Sequence, residues 1–231
     1  MSRVSDLAGG APADWLVIGW FTPDYRLLAE QHAASLTARG IPYHLFARSK
    51  RVAGWNTLQK PSVVLDAMDA HPGRTLILMD VDCIVDGDIE PVTRIAGDVG
   101  LTMNARPVRL LWPPHRRISV KAASRVVVFR PTDGARRFAE EWARRCALVT
   151  RGDDEAPMAA AFLCSLTGVS YAYIDRRYSG LNHVPGCVIR HDSAHNKQPP
   201  RGLGEWLKTV ERKLRTGRTR ASKEAGLSVT S

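Results

Sequence analysis

The chain has 231 residues, 44% of them hydrophobic, and a formal net charge of +10. That length supports one sizeable core with appendages. No apolar run approaches the roughly 20 residues a membrane span needs, and residues 1–14 lack the apolar centre of a signal peptide, so the expected location is cytoplasmic.

Residues 1–13 read as a flexible N-terminus, residues 14–200 as one domain, and residues 201–231 as a basic tail. Trp15–Phe21 predicts a buried strand, and Thr22-Pro23-Asp24 then caps a helix over Tyr25–Arg39 that ends at Gly40. Leu28, His32 and Leu36 share one face of that helix, which makes His32 a core or flank residue rather than a ligand. A strand at Tyr43–Ala47 precedes a loop with Trp55 and Asn56. A helix over Pro61–Ala70 follows, with Val64, Leu65 and Met68 inward. The run from Thr75 to Val85 is strand-forming and delivers Asp80. This β-α-β-α-β order predicts parallel strands joined by helical crossovers, the nucleotide-binding half of an α/β sheet.

The second half is more mixed. Strands are expected at Gly100–Asn104 and Val126–Arg130, and a helix over Asp133–Val149 carries Phe138, Trp142 and Cys146 on one stripe. A further helix starts after Asp153-Asp154-Glu155 and runs to Leu166. Short strands follow near Tyr171–Ile174 and Cys187–Arg190, the last leading into His191-Asp192-Ser193-Ala194-His195-Asn196-Lys197. Cys83, Cys146, Cys164 and Cys187 show no paired ligand spacing, which argues for reduced thiols.

The tail carries eight Lys/Arg against three Glu, half of the net charge. Leu203, Trp206, Leu207, Val210 and Leu214 recur there at helical spacing among Lys208, Arg212, Lys213 and Arg215. Such a helix suits an anionic membrane surface, or its stripe packs on the chain's own core. Beyond Arg215 the periodicity stops. The charge concentrates in this tail and no recognition module accompanies it, so specific nucleic-acid binding is not expected.

Asp80 and Asp82 stand one residue apart at a strand end, where ligands gather beyond the carboxyl edge of an open α/β sheet. Two carboxylates placed together are costly without a cation, and hard oxygens suit Mg²⁺ or Mn²⁺. An EF-hand is excluded, because Ile84 and Val85 fall where a calcium loop needs an oxygen ligand and a glycine. There is no G-x-G-x-x-G, P-loop, G-x-S-x-G or H-E-x-x-H.

Several of these residues together carry a resemblance: Thr22 after the first strand, Trp55-Asn56 with Lys60-Pro61, Asp80-Val81-Asp82, Asp154-Glu155 opening a late helix, and His191 to Lys197. The combination resembles the bacterial nucleotide-diphospho-sugar transferases of GT-A fold. The resemblance implies a GT-A-like α/β fold, with a mixed, mainly parallel sheet flanked by helices. It also implies a metal-dependent transferase that moves a sugar from a nucleotide-diphospho-sugar to a glycan, lipid or small-molecule acceptor. Asp80, Asp82 and His191 would then hold Mn²⁺ or Mg²⁺. Thr22, Tyr25, Asn56, Lys60, Asp80 and Lys197 would bind the donor, and Asp154 and Glu155 would face the sugar or acceptor as catalytic groups. A peripheral position on the inner membrane face would follow from the tail.

Plainer roles stand beside these. Asp153, Asp154 and Glu155 also suit a helix N-terminus, Lys60 a helix start, and His191 a loop histidine with a backbone partner. The chain departs from the family at Ala123-Ser124-Arg125, where relatives carry a small turn, and at His195-Asn196. Two other classes are weighed. A haloacid-dehalogenase-like Mg²⁺ phosphatase would need Gly after the acidic triplet, where this chain has Cys83, and a whole β-α-β-α unit precedes the triplet. A non-catalytic membrane-surface binding protein is the other alternative.

Overall fold

The structure, a computed structural model, describes residues 5–51, 55–110, 115–150, 152–180 and 185–191, with the backbone alone described along 104–121. Nine strands are formed among these residues: β1 (Leu7–Gly9), β2 (Trp15–Phe21), β3 (Tyr43–Ala47), β4 (Thr75–Met79), β5 (Cys83–Val85), β6 (Val99–Leu110), β7 (His115–Phe129), β8 (Tyr171–Tyr173) and β9 (Ile189–His191). The helices are α1 (Arg26–Thr37), α2 (Lys60–Ala70), α3 (Asp133–Ala147) and α4 (Glu155–Cys164). The predicted strands Trp15–Phe21 and Tyr43–Ala47 form over those residues, and the predicted helices form to within a few residues at their ends.

Seven strands make one sheet in the order β1-β3-β2-β4-β7-β6-β8. β2 pairs in parallel with both β3 and β4, and β6 pairs in parallel with β8, whereas β1 on β3 and β7 on both β4 and β6 are antiparallel. Five strands therefore share one direction, opposed by β1 and β7. This is the mixed, mainly parallel α/β sheet that the resemblance implies. Residues 7–9, within the segment expected to be flexible, pair with β3, and the Asp6 carboxylate accepts from the Ala47 amide at 2.7 Å.

Both faces of the sheet are covered, which is why its central strands are continuous apolar runs rather than alternating ones. Leu16, Ile18, Leu76, Leu78, Val127 and Phe129 face α2, α3 and α4, where Phe138 and Trp142 are fully buried. Val17, Ile77, Met79, Val126 and Val128 point the other way, with Leu36 of α1. α3 begins where the Thr132 hydroxyl accepts from the Ala135 amide at 3.2 Å, a side-chain cap of the usual kind.

The run from Thr75 to Val85 is not one strand. It breaks at Asp80-Val81-Asp82, where the Cys83 amide donates to the Asp80 carbonyl at 2.9 Å, and resumes as β5 in a separate two-stranded sheet with β9. β6 and β7 run well beyond their predicted limits, because each finds its partner across a long antiparallel ladder. All four cysteines are free thiols. No helix among the described residues is long and apolar enough to cross a membrane. The tail stripe from Leu203 to Leu214 lies outside the described residues.

Candidate functional site

The parallel pairing of β2 with β4 sets their carboxyl ends side by side: Ile18 is opposite Leu78, so Thr22 and the Asp80 turn emerge along the same edge. Val81, between the two aspartates, packs with Phe21, Ala29, Ala33 and Leu45, which fixes the turn from below.

The third member arrives from over a hundred residues later. β5 and β9 pair antiparallel with Cys83 opposite His191, and this register lays the imidazole beside the acidic turn. His191 Nε2 is 3.2 Å from Asp82 Oδ1. One ligand atom from each of Asp80, Asp82 and His191 lies within 4.8 Å of the others, all three half-buried. Two carboxylate oxygens and an imidazole nitrogen at this spacing fit Mn²⁺ or Mg²⁺. Burial raises the Asp80 pKa; Lys60 pulls it back, while Asp82 and Asp154 push it further up. A bound cation would relieve that crowding of negative charge.

Lys60 and Asp154 meet beside the acidic turn. The Lys60 ammonium is buried, 2.8 Å from Asp80 Oδ1, 3.1 Å from the Ser124 hydroxyl and 3.6 Å from Asp154 Oδ2. Burial alone disfavours its charge, yet the carboxylates of Asp154 and Asp80 outweigh that and raise its pKa. The Ser124 carbonyl accepts as well, at 3.3 Å, so Asp80 and Ser124 together engage the three donors of the ammonium. Asp154 is likewise buried, at 2% exposure, with its Oδ2 turned to Lys60. Its neighbour Glu155 is half-buried at the first position of α4.

On the other side of the edge, Thr22 is buried and its hydroxyl donates to Asp24 at 2.7 Å, while the Tyr25 amide closes the turn on the Thr22 carbonyl. Asn56 accepts from the Arg51 amide at 2.9 Å and so shapes the loop leading to Lys60. Beside it Trp55 is 57% exposed. Lys197, with His195 and Asn196, lies outside the described residues.

Two contributors escaped the sequence. His32, predicted as core, is buried, and its Nδ1 meets the Cys83 carbonyl at 2.8 Å. A carbonyl only accepts, so Nδ1 carries the proton and holds the Cys83–Ile84 peptide, one residue beyond Asp82. Burial drives the His32 pKa down to about 4 despite that hydrogen bond and the Asp82 charge. Gly180 is the second, with φ of +71°. A Cβ there would come within 3.1 Å of His191 Cβ and 3.8 Å of both Arg125 Cδ and Cys83 Sγ. Burial, reinforced by Asp80 and Asp82, raises the Cys83 thiol well above its usual range, so it is no nucleophile.

No protein-family model matches this sequence, and no curated protein sequence does. Solved structures do. A glycosyltransferase involved in the glycosylation of the major capsid of PBCV-1 superposes with a TM-score of 0.52 at 10% identity, over 78% of this chain and 92% of that one. The glycosyltransferase GlyE of Streptococcus pneumoniae TIGR4 aligns more loosely, with a TM-score of 0.38 at 10% identity over 71% of this chain and 46% of that one. The first of these shows the fold: the chain has a GT-A-like α/β fold.

Proposed function

We propose that this chain is a metal-dependent glycosyltransferase that moves a sugar from a nucleotide-diphospho-sugar donor to a glycan, lipid or small-molecule acceptor. The observation that carries this reading is the meeting of Asp80, Asp82 and His191 at the carboxyl edge of the sheet, the edge where ligands gather in such folds. When bound, Mn²⁺ or Mg²⁺ neutralises the charge that develops on a diphosphate leaving group, without proton transfer.

The chain's own residues divide the remaining work. Thr22 and Tyr25 cradle the nucleoside base by backbone hydrogen bonds and ring stacking, and Asn56 shapes the adjoining loop. Lys60 and Asp154 hold the Asp80 carboxylate in place from behind. Glu155 faces the acceptor side, and Lys197 approaches the donor phosphates from the late loop. The protein works in the cytoplasm, with its basic tail drawn to the inner membrane face.

Calorimetry of the full chain with UDP and GDP tests this. Binding should require Mn²⁺ and disappear with EDTA or in Asp82→Asn, and a screen of nucleotide-sugars should then find one that is hydrolysed. Binding that survives both metal removal and Asp82→Asn sinks the proposal.

A further inference from the structure

We infer that Arg125 is the fixed cation that contacts the donor's diphosphate alongside the metal site, an inference that rests on the function proposed above. Its place is set by the sheet: the Arg125 carbonyl accepts from the Asp80 amide at 3.1 Å, one step before Val126 pairs with Met79. From there the side chain runs along Gly180. Its Cδ, His191 Cβ and Cys83 Sγ all lie within 3.8 Å of where a Cβ on Gly180 would stand. A left-handed glycine leaves this room, and the arginine stem fills it beside His191.

The polar end is unfinished. Arg125 Nε is buried and has no hydrogen-bond partner among the described residues, while the residue as a whole is half-buried. A buried donor left unpaired is unfavourable, and a planar guanidinium is suited to bidentate contact with phosphate oxygens. Lys60, another cation of this cluster, donates to Asp80 and to both the hydroxyl and the carbonyl of Ser124.

Charge balance points the same way. Asp80, Asp82 and Asp154 are offset by Lys60 and one divalent cation, which leaves that set neutral and without net attraction for a diphosphate. The Arg125 guanidinium supplies the excess positive charge.

The test titrates the full chain, by calorimetry, first with Mn²⁺ alone and then, at saturating Mn²⁺, with UDP, GDP, ADP and dTDP. Arg125→Gln should weaken the best-bound diphosphate about tenfold or more, the loss expected for one charged hydrogen bond. The same variant should bind Mn²⁺ alone as well as or better than the parent, since a repelling charge is gone. Arg125→Lys should keep part of the diphosphate affinity, because it retains the charge but loses the two-pronged contact. Opposite signs for metal and diphosphate separate this role from a structural one. Arg125→Gln with unchanged diphosphate binding, or Mn²⁺ and diphosphate weakened in parallel in both variants, overturns the inference and leaves the proposed function standing. A parent chain that binds none of the four with Mn²⁺ overturns both.

Discussion

The Lys60 ammonium sits between two carboxylates, 2.8 Å from Asp80 Oδ1 and 3.6 Å from Asp154 Oδ2, beneath the acidic turn. Removing one partner of such a buried set leaves uncompensated charge, which costs about 3–5 kcal/mol. Lys60→Met should therefore lower unfolding free energy by that order in urea titrations. Lys60→Met combined with Asp154→Leu should recover part of the loss, because one orphaned carboxylate goes with it. If the double variant is no more stable than the single, the three groups do not form a unit.

His32 makes stability pH-dependent with a definite sign. Its folded pKa is about 4 against 6.5 for an ordinary histidine. The folded state thus binds fewer protons across that window, and the stabilisation, complete above pH 6.5, is lost as pH falls toward 4. The shift corresponds to roughly 3 kcal/mol. His32→Gln keeps a donor for the Cys83 carbonyl and cannot titrate, so its stability should fall less steeply between pH 6.5 and 4. Equal acid slopes for the two proteins would refute the assignment.

Gly180→Ala should act on the metal site as well as on the backbone. The left-handed φ costs a non-glycine residue of order 1–3 kcal/mol, and the new Cβ would press on His191 Cβ at 3.1 Å. Gly186, with φ of +66° and a 3.6 Å approach only to Arg177, serves as the control. Both variants should lose stability in thermal melts, and only Gly180→Ala should lose Mn²⁺ affinity in calorimetry. Matching metal affinities would show that His191 is not positioned through Gly180.

His191→Ala should weaken Mn²⁺ binding by at least the 10–100-fold (about 1.4–2.8 kcal/mol) that losing an outer-shell partner costs. Ile84→Ala, one step along the same short ladder, should leave metal affinity largely unchanged. A His191→Ala chain that binds Mn²⁺ like its parent would reduce the histidine to a loop residue.

By itself the sequence determined the local structure: continuous apolar runs at Trp15–Phe21 and Thr75–Met79, helical stripes such as Phe138, Trp142 and Cys146, and an acidic pair at a strand end. These depend on residues near one another in the chain, where periodicity and capping act. The residues of the candidate metal cluster were named from the sequence too, through the resemblance that Asp80-Val81-Asp82 and His191 carry.

Only the tertiary structure decided which charged groups meet. Lys60 and Asp154, 94 positions apart in sequence, read separately as a donor contact and an acceptor contact, or as plain helix starts, and only the packing of α2 and α4 brings them together beside Asp80. His32 reads as one more core position until its ring reaches the Cys83 carbonyl. The register that sets Cys83 opposite His191 belongs to a three-residue ladder with no periodic signature. Burial and desolvation settle the use of each of these side chains, and both come from contacts between distant segments rather than from any window of sequence.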